Sequence, residues 1–489
     1  MTISHDEHEE LARRKICFDC IGDAYLANLV EQEGKRRKCH YCAEKQACVT
    51  LEWLADHVEM AFKTHFGRTA EEPNSFEYAM IRDKELSYDW YREGQETAYA
   101  IMDAANLREN IAVDVQSILE FRHEDFDSAA AGMECEFSSD AHYEEIMPED
   151  HEWHKQWREF ERLIKTEARF FSRTAASHLS KLFDQIDQMR TDAGRSLVVN
   201  AGPDTDISHL FRARVFQSEE PLLKAMKRPD LELSAPPAWA AAAGRMNARG
   251  ISAFYGATSP GIALAEVRPP VGSRVALAKF DIIRPLRLLD LAALGQVMER
   301  GSIFDPDYAY RLGRMMFLRT LSEKMARPVM PDDQEMEYLP TQAIADYLST
   351  EGQVPLDGIL FPSVQVGGDG LNVVLFYKAS RSELLDIPKG TEIEARTYSI
   401  YEEGAEPDYA VTEEVPSADE EEDHENGRNR APFDLAMEDW DELYDTDPRE
   451  VALRIDLEFI HVHEVNAVEI RTDSHSVSRY RLEQRDGDF

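Results

Sequence analysis

The chain is short of positive charge. Its 489 residues carry 54 Lys and Arg against 94 Asp and Glu, a net charge of −40. Such an acidic balance repels nucleic-acid backbones and anionic lipid, which disfavours a nucleic-acid binder or a membrane-surface protein. Long apolar runs are also lacking. None approaches about 18 uninterrupted apolar residues, so no transmembrane helix is expected. The N-terminus, Met-Thr-Ile-Ser-His-Asp-Glu-His-Glu-Glu, has neither the basic nor the apolar region of a leader. A cytoplasmic protein is expected, in a compartment where structural disulfides are rare. Apolar residues are not scarce: at 43% of the chain they suffice for real cores. The length allows two to four domains of about 100–200 residues each.

Cysteine is sparse and clustered. There are six, and five lie in the first 48 residues. Cys17-Phe-Asp-Cys20 and Cys39-His-Tyr-Cys42 form a C-x2-C-x18-C-x2-C pattern, a zinc-ribbon spacing. Each short turn aims two thiolates at one point, and four thiolates complete a tetrahedral Zn2+ shell with no position left for water. The zinc is therefore expected to be structural, in a ribbon-like module over residues 1–50. His40 and Cys48 are expected not to be ligands, and Cys135 to be an inert residue.

Residues 51–200 are expected to be helical. Leu51, Leu54, Val58 and Phe62 recur at helical spacing, as do Trp153, Trp157, Phe160, Leu163 and Ile164. The acidic stretch 134–150, with Pro148, is expected to be a loop. Arg173-Thr-Ala-Ala-Ser-His178 fits R-x4-H, the short signature of HEPN ribonucleases, in which an Arg steadies charge and a His moves protons. Residues five apart do not share a helical stripe, and no basic patch accompanies them.

Past Gly202 and Pro203 the texture changes to short β-like runs separated by Gly and Pro. Strands are expected near 211–216, 252–255, 274–281, 358–361 and 372–377, with helices near 260–267, 307–326 and 341–350. This is an α+β module over about 204–400. Arg212 and Arg214 alternate in one strand and so share a face. Gly244-Arg245-Met246-Asn247, then Tyr255, then Ala-Leu-Ala-Glu266 follow. A carboxylate in so apolar a helix is costly without a partner. Leu-Phe-Pro-Ser363 leads into a loop with Gly367, Gly368 and Gly370, and an apolar strand begins at Asn372.

These blocks, in this order over about residues 207–385, resemble the RES domain family. The chain as a whole is similar to the subgroup with a zinc-binding, HEPN-like helical region ahead of RES. Two departures are Met246, where the family often has an aromatic, and the long, Pro-containing segment between Arg214 and Arg245. The resemblance implies a fold similar to ADP-ribosyltransferases and cleavage of the nicotinamide–ribose bond of NAD+, with water or phosphate as acceptor. It also implies a toxin or defence effector with a neutralising antitoxin. On this reading Arg212 and Arg245 hold the diphosphate, with the choice between Arg212 and Arg214 as the substrate contact left open, and Asn247 either adds a substrate contact or forms the turn. Tyr255 faces nicotinamide, and Glu266 offsets positive charge at the ribose or binds its hydroxyls. Ser363 binds substrate or orients Glu266. Two alternatives remain open: a HEPN-type ribonuclease using Arg173 and His178, and a non-enzymatic, zinc-dependent sensor that binds a protein partner.

Residues 401–450 hold 20 acidic side chains against three Arg. They are expected to form a disordered linker. Two short β runs, 454–462 and 467–472, are expected to pack on the catalytic module. Residues 207–300 count 13 basic against 8 acidic side chains, which predicts a basic cleft within the acidic whole.

Overall fold

The computed structural model describes residues 5–83, 87–124, 134–327, 329–351, 355–363, 365, 370–401, 404–416, 447–469 and 472–481. The chain forms two compact units, Met1–Leu197 with Ala293–Met325, and Val198–Ala292 with Ala326–Phe489. The class is α+β. No described helix is long and apolar enough to cross a membrane.

In the first unit, strands Lys15–Cys17, Lys35–Lys38 and Lys45–Thr50 make a small sheet with Lys45–Thr50 in the middle. The Thr50 hydroxyl accepts from the Trp53 amide and so caps helix Leu51–His65, whose Leu51, Leu54, Val58 and Phe62 are buried at the expected spacing. Helices Thr97–Ala105 and Glu109–His123 share that core. The region is not all helix. His142–Glu145, expected to be loop, is a strand between Phe66–Arg68 and Gln95–Glu96. Tyr143 supplies the reason: it turns inward against Phe62 and Phe137, and its backbone pairs on both sides. Residues 293–325, including helix Tyr308–Ala326, pack in this unit although the sequence places them inside the 204–400 module.

The second unit is built on an eight-stranded sheet. Its order is Leu453–Glu464, Arg274–Ile282, His209–Phe216, Phe254–Ala257, Leu371–Leu375, Gly358–Pro362, Leu286–Asp290 and Val198–Ala201. Only Leu286–Asp290 and Gly358–Pro362 run parallel. Arg274–Ile282 and Leu286–Asp290 are second and seventh in the order, yet three residues join them. A flat sheet would separate them by about 24 Å, and such a linker spans at most about 14 Å. The sheet must therefore curl. Leu210, Phe254, Phe280, Leu288 and Val373, from five of its strands, share one core.

The acidic stretch does not begin as coil. Gly404–Glu414 pairs with Glu392–Tyr401 in a two-stranded ribbon. Residues 417–446, the rest of the expected linker, lie outside the described residues. The chain returns as one strand, Leu453–Glu464, on the sheet edge beside Arg274–Ile282. No strand forms at 467–469.

Candidate active site and metal centre

The sheet is weakest between His209–Phe216 and Phe254–Ala257. A single pair, Ala257 with Phe211, joins them, whereas Phe254–Ala257 pairs along its whole length with Leu371–Leu375. Where the ladder stops, a cavity of about 240 Å³ opens between the strands. Phe211, Arg212 and Ala213 line it on one side, and Tyr255, Gly256 and Ala257 on the other. Glu266 and Val267 from the neighbouring helix and Asn372 from the next strand complete it.

Arg212 crosses this gap. Its Nη1 donates to the Tyr255 carbonyl at 2.8 Å, and its guanidinium lies 5.2 Å from the Phe254 ring centroid. Its Nε is shielded from solvent and has no hydrogen-bond partner among the described residues. Desolvation, with Arg214 nearby, pulls the guanidinium down to about 10, which still leaves it charged at neutral pH.

Glu266 ends helix Pro260–Glu266, which starts behind Ser259 with Pro at its first position. Ile262 and Ala263 bury against Phe211, Ala257 and Leu277. Arg268 adopts a left-handed conformation (φ 44°) and Pro269 follows, so the helix stops there. A carboxylate at a helix C-terminus meets the negative end of the dipole. Here two neutral donors offset that: Ser363 Oγ at 2.7 Å and Asn372 Nδ2 at 2.8 Å, both to Oε1. Oε2 has no partner among the described residues. Gly370 lies close against this helix. A Cβ there would sit 1.7 Å from Ile262 Cδ1, and the Gly370 carbonyl accepts from the Ser363 amide at 3.3 Å. Gly367 and Gly368 lie outside the described residues.

The half-buried ring of Tyr255 lines the cavity, but its phenol points to the Gly244–Asn247 turn. It donates to Asn247 Oδ1 at 2.6 Å and accepts from the Met246 amide at 3.1 Å. Burial pushes the phenol up to about 12. Gly244 is needed here, because its Cβ would fall 2.4 Å from the Tyr255 oxygen. Arg245, on that turn, does not line the cavity; its guanidinium lies 5.9 Å from the Tyr338 ring centroid.

The remaining expected substrate contacts are placed elsewhere. Arg214 shares the Arg212 face but pairs with Glu232 at 2.9 Å, on the surface. Asn247 is buried and satisfies its own loop, donating to the carbonyls of Ala242, Ala248 and Ile251. The expected basic cleft is corrected as well. Among the described residues the cavity holds one guanidinium, Arg212, and one carboxylate, Glu266. Several cations of the segment have acidic partners away from the cavity: Lys224 with Glu232, Arg228 with Asp230, Lys279 with Asp456, Arg284 with Asp357. Asn372 is a site residue that motif reasoning passed over. Its signal is a carboxamide inside the apolar run Leu371-Asn-Val-Val-Leu375.

Cys17, Cys20, Cys39 and Cys42 bring their sulfurs within 4.8 Å of one another. The separations of 3.5 Å (Cys17–Cys42), 3.7 Å (Cys17–Cys20) and 3.8 Å (Cys20–Cys39) fit a tetrahedral ion. Zinc–sulfur bonds of about 2.3 Å would set sulfurs about 3.8 Å apart. The Tyr41 amide and Arg108 donate to the sulfurs of Cys39 and Cys20, a supporting shell for thiolates. His40 Nδ1 accepts from the Lys15 amide, and the Cys48 thiol donates to backbone carbonyls of Arg37 and Gln46, so both are used elsewhere.

Arg173 and His178 are not brought together. Arg173 is exposed at the start of helix Arg173–Leu182. His178 is 6% exposed and walled in by Trp153, Trp157 and Phe160, and neither ring nitrogen has a partner among the described residues. A histidine so enclosed cannot reach a phosphodiester.

A family model described as the RES domain matches residues 223–397, about a third of the chain. The match takes in Arg245, Tyr255, Glu266, Ser363 and Asn372 and begins after the Arg212 strand. No curated protein and no solved structure matches the chain.

Proposed function

From the premise that residues 223–397 are a RES domain, we propose that the chain degrades NAD+ by cleaving the bond between nicotinamide and ribose. One observation carries this reading: a carboxylate with one oxygen held by two neutral donors and the other open, in a cavity shared with an arginine.

As the bond breaks, the nicotinamide nitrogen takes the bonding pair and leaves neutral, and the ribose carbon becomes cationic. Ionised Glu266 offsets that charge, which exists only as the bond breaks, so it lowers the barrier more than it tightens binding. Ser363 and Asn372 keep the carboxylate in place without neutralising it. Arg212 supplies a fixed cation for substrate phosphate. Arg245 supplies a second only for a part of the substrate outside the cavity. Water adds its oxygen to the ribose carbon and releases one proton; phosphate in its place gives the ribose phosphate ester. An enzyme of this kind depletes a cofactor its own cell needs, so a neutralising protein partner belongs to the reading. The four cysteines would hold one structural Zn2+, closed to substrate by its four protein ligands.

The test is release of free nicotinamide from NAD+ by the purified full chain, with and without phosphate. Glu266→Gln keeps the shape and removes the charge. It should lower kcat at least 100-fold, and wild-type release no greater than that of the variant would end the proposal.

A further inference from the structure

Asn372 is 5% exposed in a strand whose neighbours in sequence are Leu371, Val373, Val374 and Leu375. It pairs across the sheet with Ala257 on one side and Phe361 on the other. A carboxamide there loses its hydration and costs stability unless a hydrogen bond replaces it. The apolar pattern asks for Val or Ile at this place, so the amide needs a reason.

Its Nδ2 meets Glu266 Oε1 at 2.8 Å, and Ser363 Oγ meets the same oxygen at 2.7 Å. The two donors come from separate strands, Leu371–Leu375 and the end of Gly358–Pro362, and converge on one atom. A carboxylate held through one oxygen by two donors has its rotation stopped. Its second oxygen then has a fixed direction, and Glu266 lines the cavity.

We infer that Asn372 is a positioning residue for Glu266: with Ser363 it pins Oε1, so that Oε2 is the oxygen presented to the substrate. This rests on the reading of Glu266 as the carboxylate that acts on NAD+. The choice of an amide follows from the charge the reaction needs. A lysine or arginine would hold the carboxylate equally well and cancel its field at the cationic ribose. An aspartate would put a second anion against it and offer no donor while ionised. Asparagine donates, carries no charge, and is rigid once packed between two strands.

Full-length Asn372→Ala and Asn372→Asp separate this role from simple packing. Asn372→Ala should lower kcat about 10- to 100-fold, less than the roughly 100- to 1000-fold lost when a preorganised donor to the reacting atoms themselves is removed, with KM within twofold. Asn372→Asp should lose more. Melting temperature and KM are measured alongside, since a purely structural role lowers the first and leaves kcat per folded molecule unchanged. An unchanged kcat, or a KM that rises as steeply as kcat falls, overturns the inference. A crystal structure of Asn372→Ala gives a second readout that needs no turnover. Glu266 should swing out of its present orientation; if it stays, the inference fails. Absence of nicotinamide release by wild type would overturn the NAD+ reading alone, and the crystal structure would still decide the positioning.

Discussion

Arg212 donates to the main-chain carbonyl of Tyr255 at 2.8 Å, across the point where two strands of the sheet stop pairing. The guanidinium takes the place of a missing ladder bond. It thereby holds the cavity walls at a fixed spacing while remaining the cavity's cation. One side chain thus ties two strands of the sheet together and lines the cavity between them.

Arg212→Lys should therefore do more than a conservative change usually does. An ammonium keeps the charge but loses the planar fork and the stacking on Phe254. KM for NAD+ should rise about 10-fold or more, with a lower melting temperature. Arg212→Ala should lose activity and stability together. Steady-state kinetics paired with thermal melts decide this; a KM change without any stability change would show that the cross-strand tie contributes nothing.

Tyr255→Phe tests the post that supports the Arg245 turn. The change leaves Asn247 Oδ1 and the Met246 amide without their partner. The cost should be about 1–2 kcal/mol, from the loss of buried hydrogen bonds. If Arg245 then loses its position, KM should rise while kcat changes little. Denaturant midpoints and kinetics measure both. A kcat collapse at constant KM would instead place the phenol at the reacting atoms.

How legible this was depended on whether a residue's task is local. The C-x2-C pairs announce their geometry because each pair sits in one turn, and the four sulfurs meet as the spacing required. Glu266 and Ser363 were legible as polar residues in apolar surroundings. Alternation placed Arg212 and Arg214 on one face, but only the fold puts Glu232 beside Arg214 and the open ladder beside Arg212. Asn247 was open to a turn or a ligand role, and its carbonyl partners, which sequence does not mark, make it a turn residue. Asn372 hid in the strand whose apolar pattern identified it. The strand Leu286–Asp290 was not expected, because it follows Arg274–Ile282 after three residues without a Gly turn, and its place seventh in the order depends on the curl of the sheet.

The four cysteines should carry one zinc per chain. Cys39→Ser should abolish stoichiometric metal, measured by elemental analysis. It should also lower the melting temperature, because an ion held there would join Cys17 and Cys20 to Cys39 and Cys42 across the small sheet. Cys48→Ser should leave the zinc count unchanged. Retention of one zinc by Cys39→Ser would contradict the assignment of Cys39 as a ligand.

His178 should make the protein acid-sensitive through its core. Burial among Trp153, Trp157 and Phe160 pushes its imidazole down to about 4 from the usual 6.5, with Lys181 adding to the effect. The folded state therefore resists a proton that the unfolded chain accepts. Above pH 6.5 both states are neutral and the residue adds no pH dependence. As pH falls from 6.5 towards 4 the unfolded state gains protons first, and stability is lost. The loss approaches about 3 kcal/mol at the acid end. Neither ring nitrogen has a hydrogen-bond partner among the described residues to offset this. His178→Phe should thus flatten the urea midpoint between pH 7.5 and 4.5 relative to wild type, and at pH 7.5 it should cost little, since an aromatic ring replaces another within an aromatic core. Because carboxylates contribute equally to both proteins, the difference between the two curves isolates the histidine. Parallel curves would mean that His178 is protonated in the fold, in contact with water or an anion, and not sealed in the core.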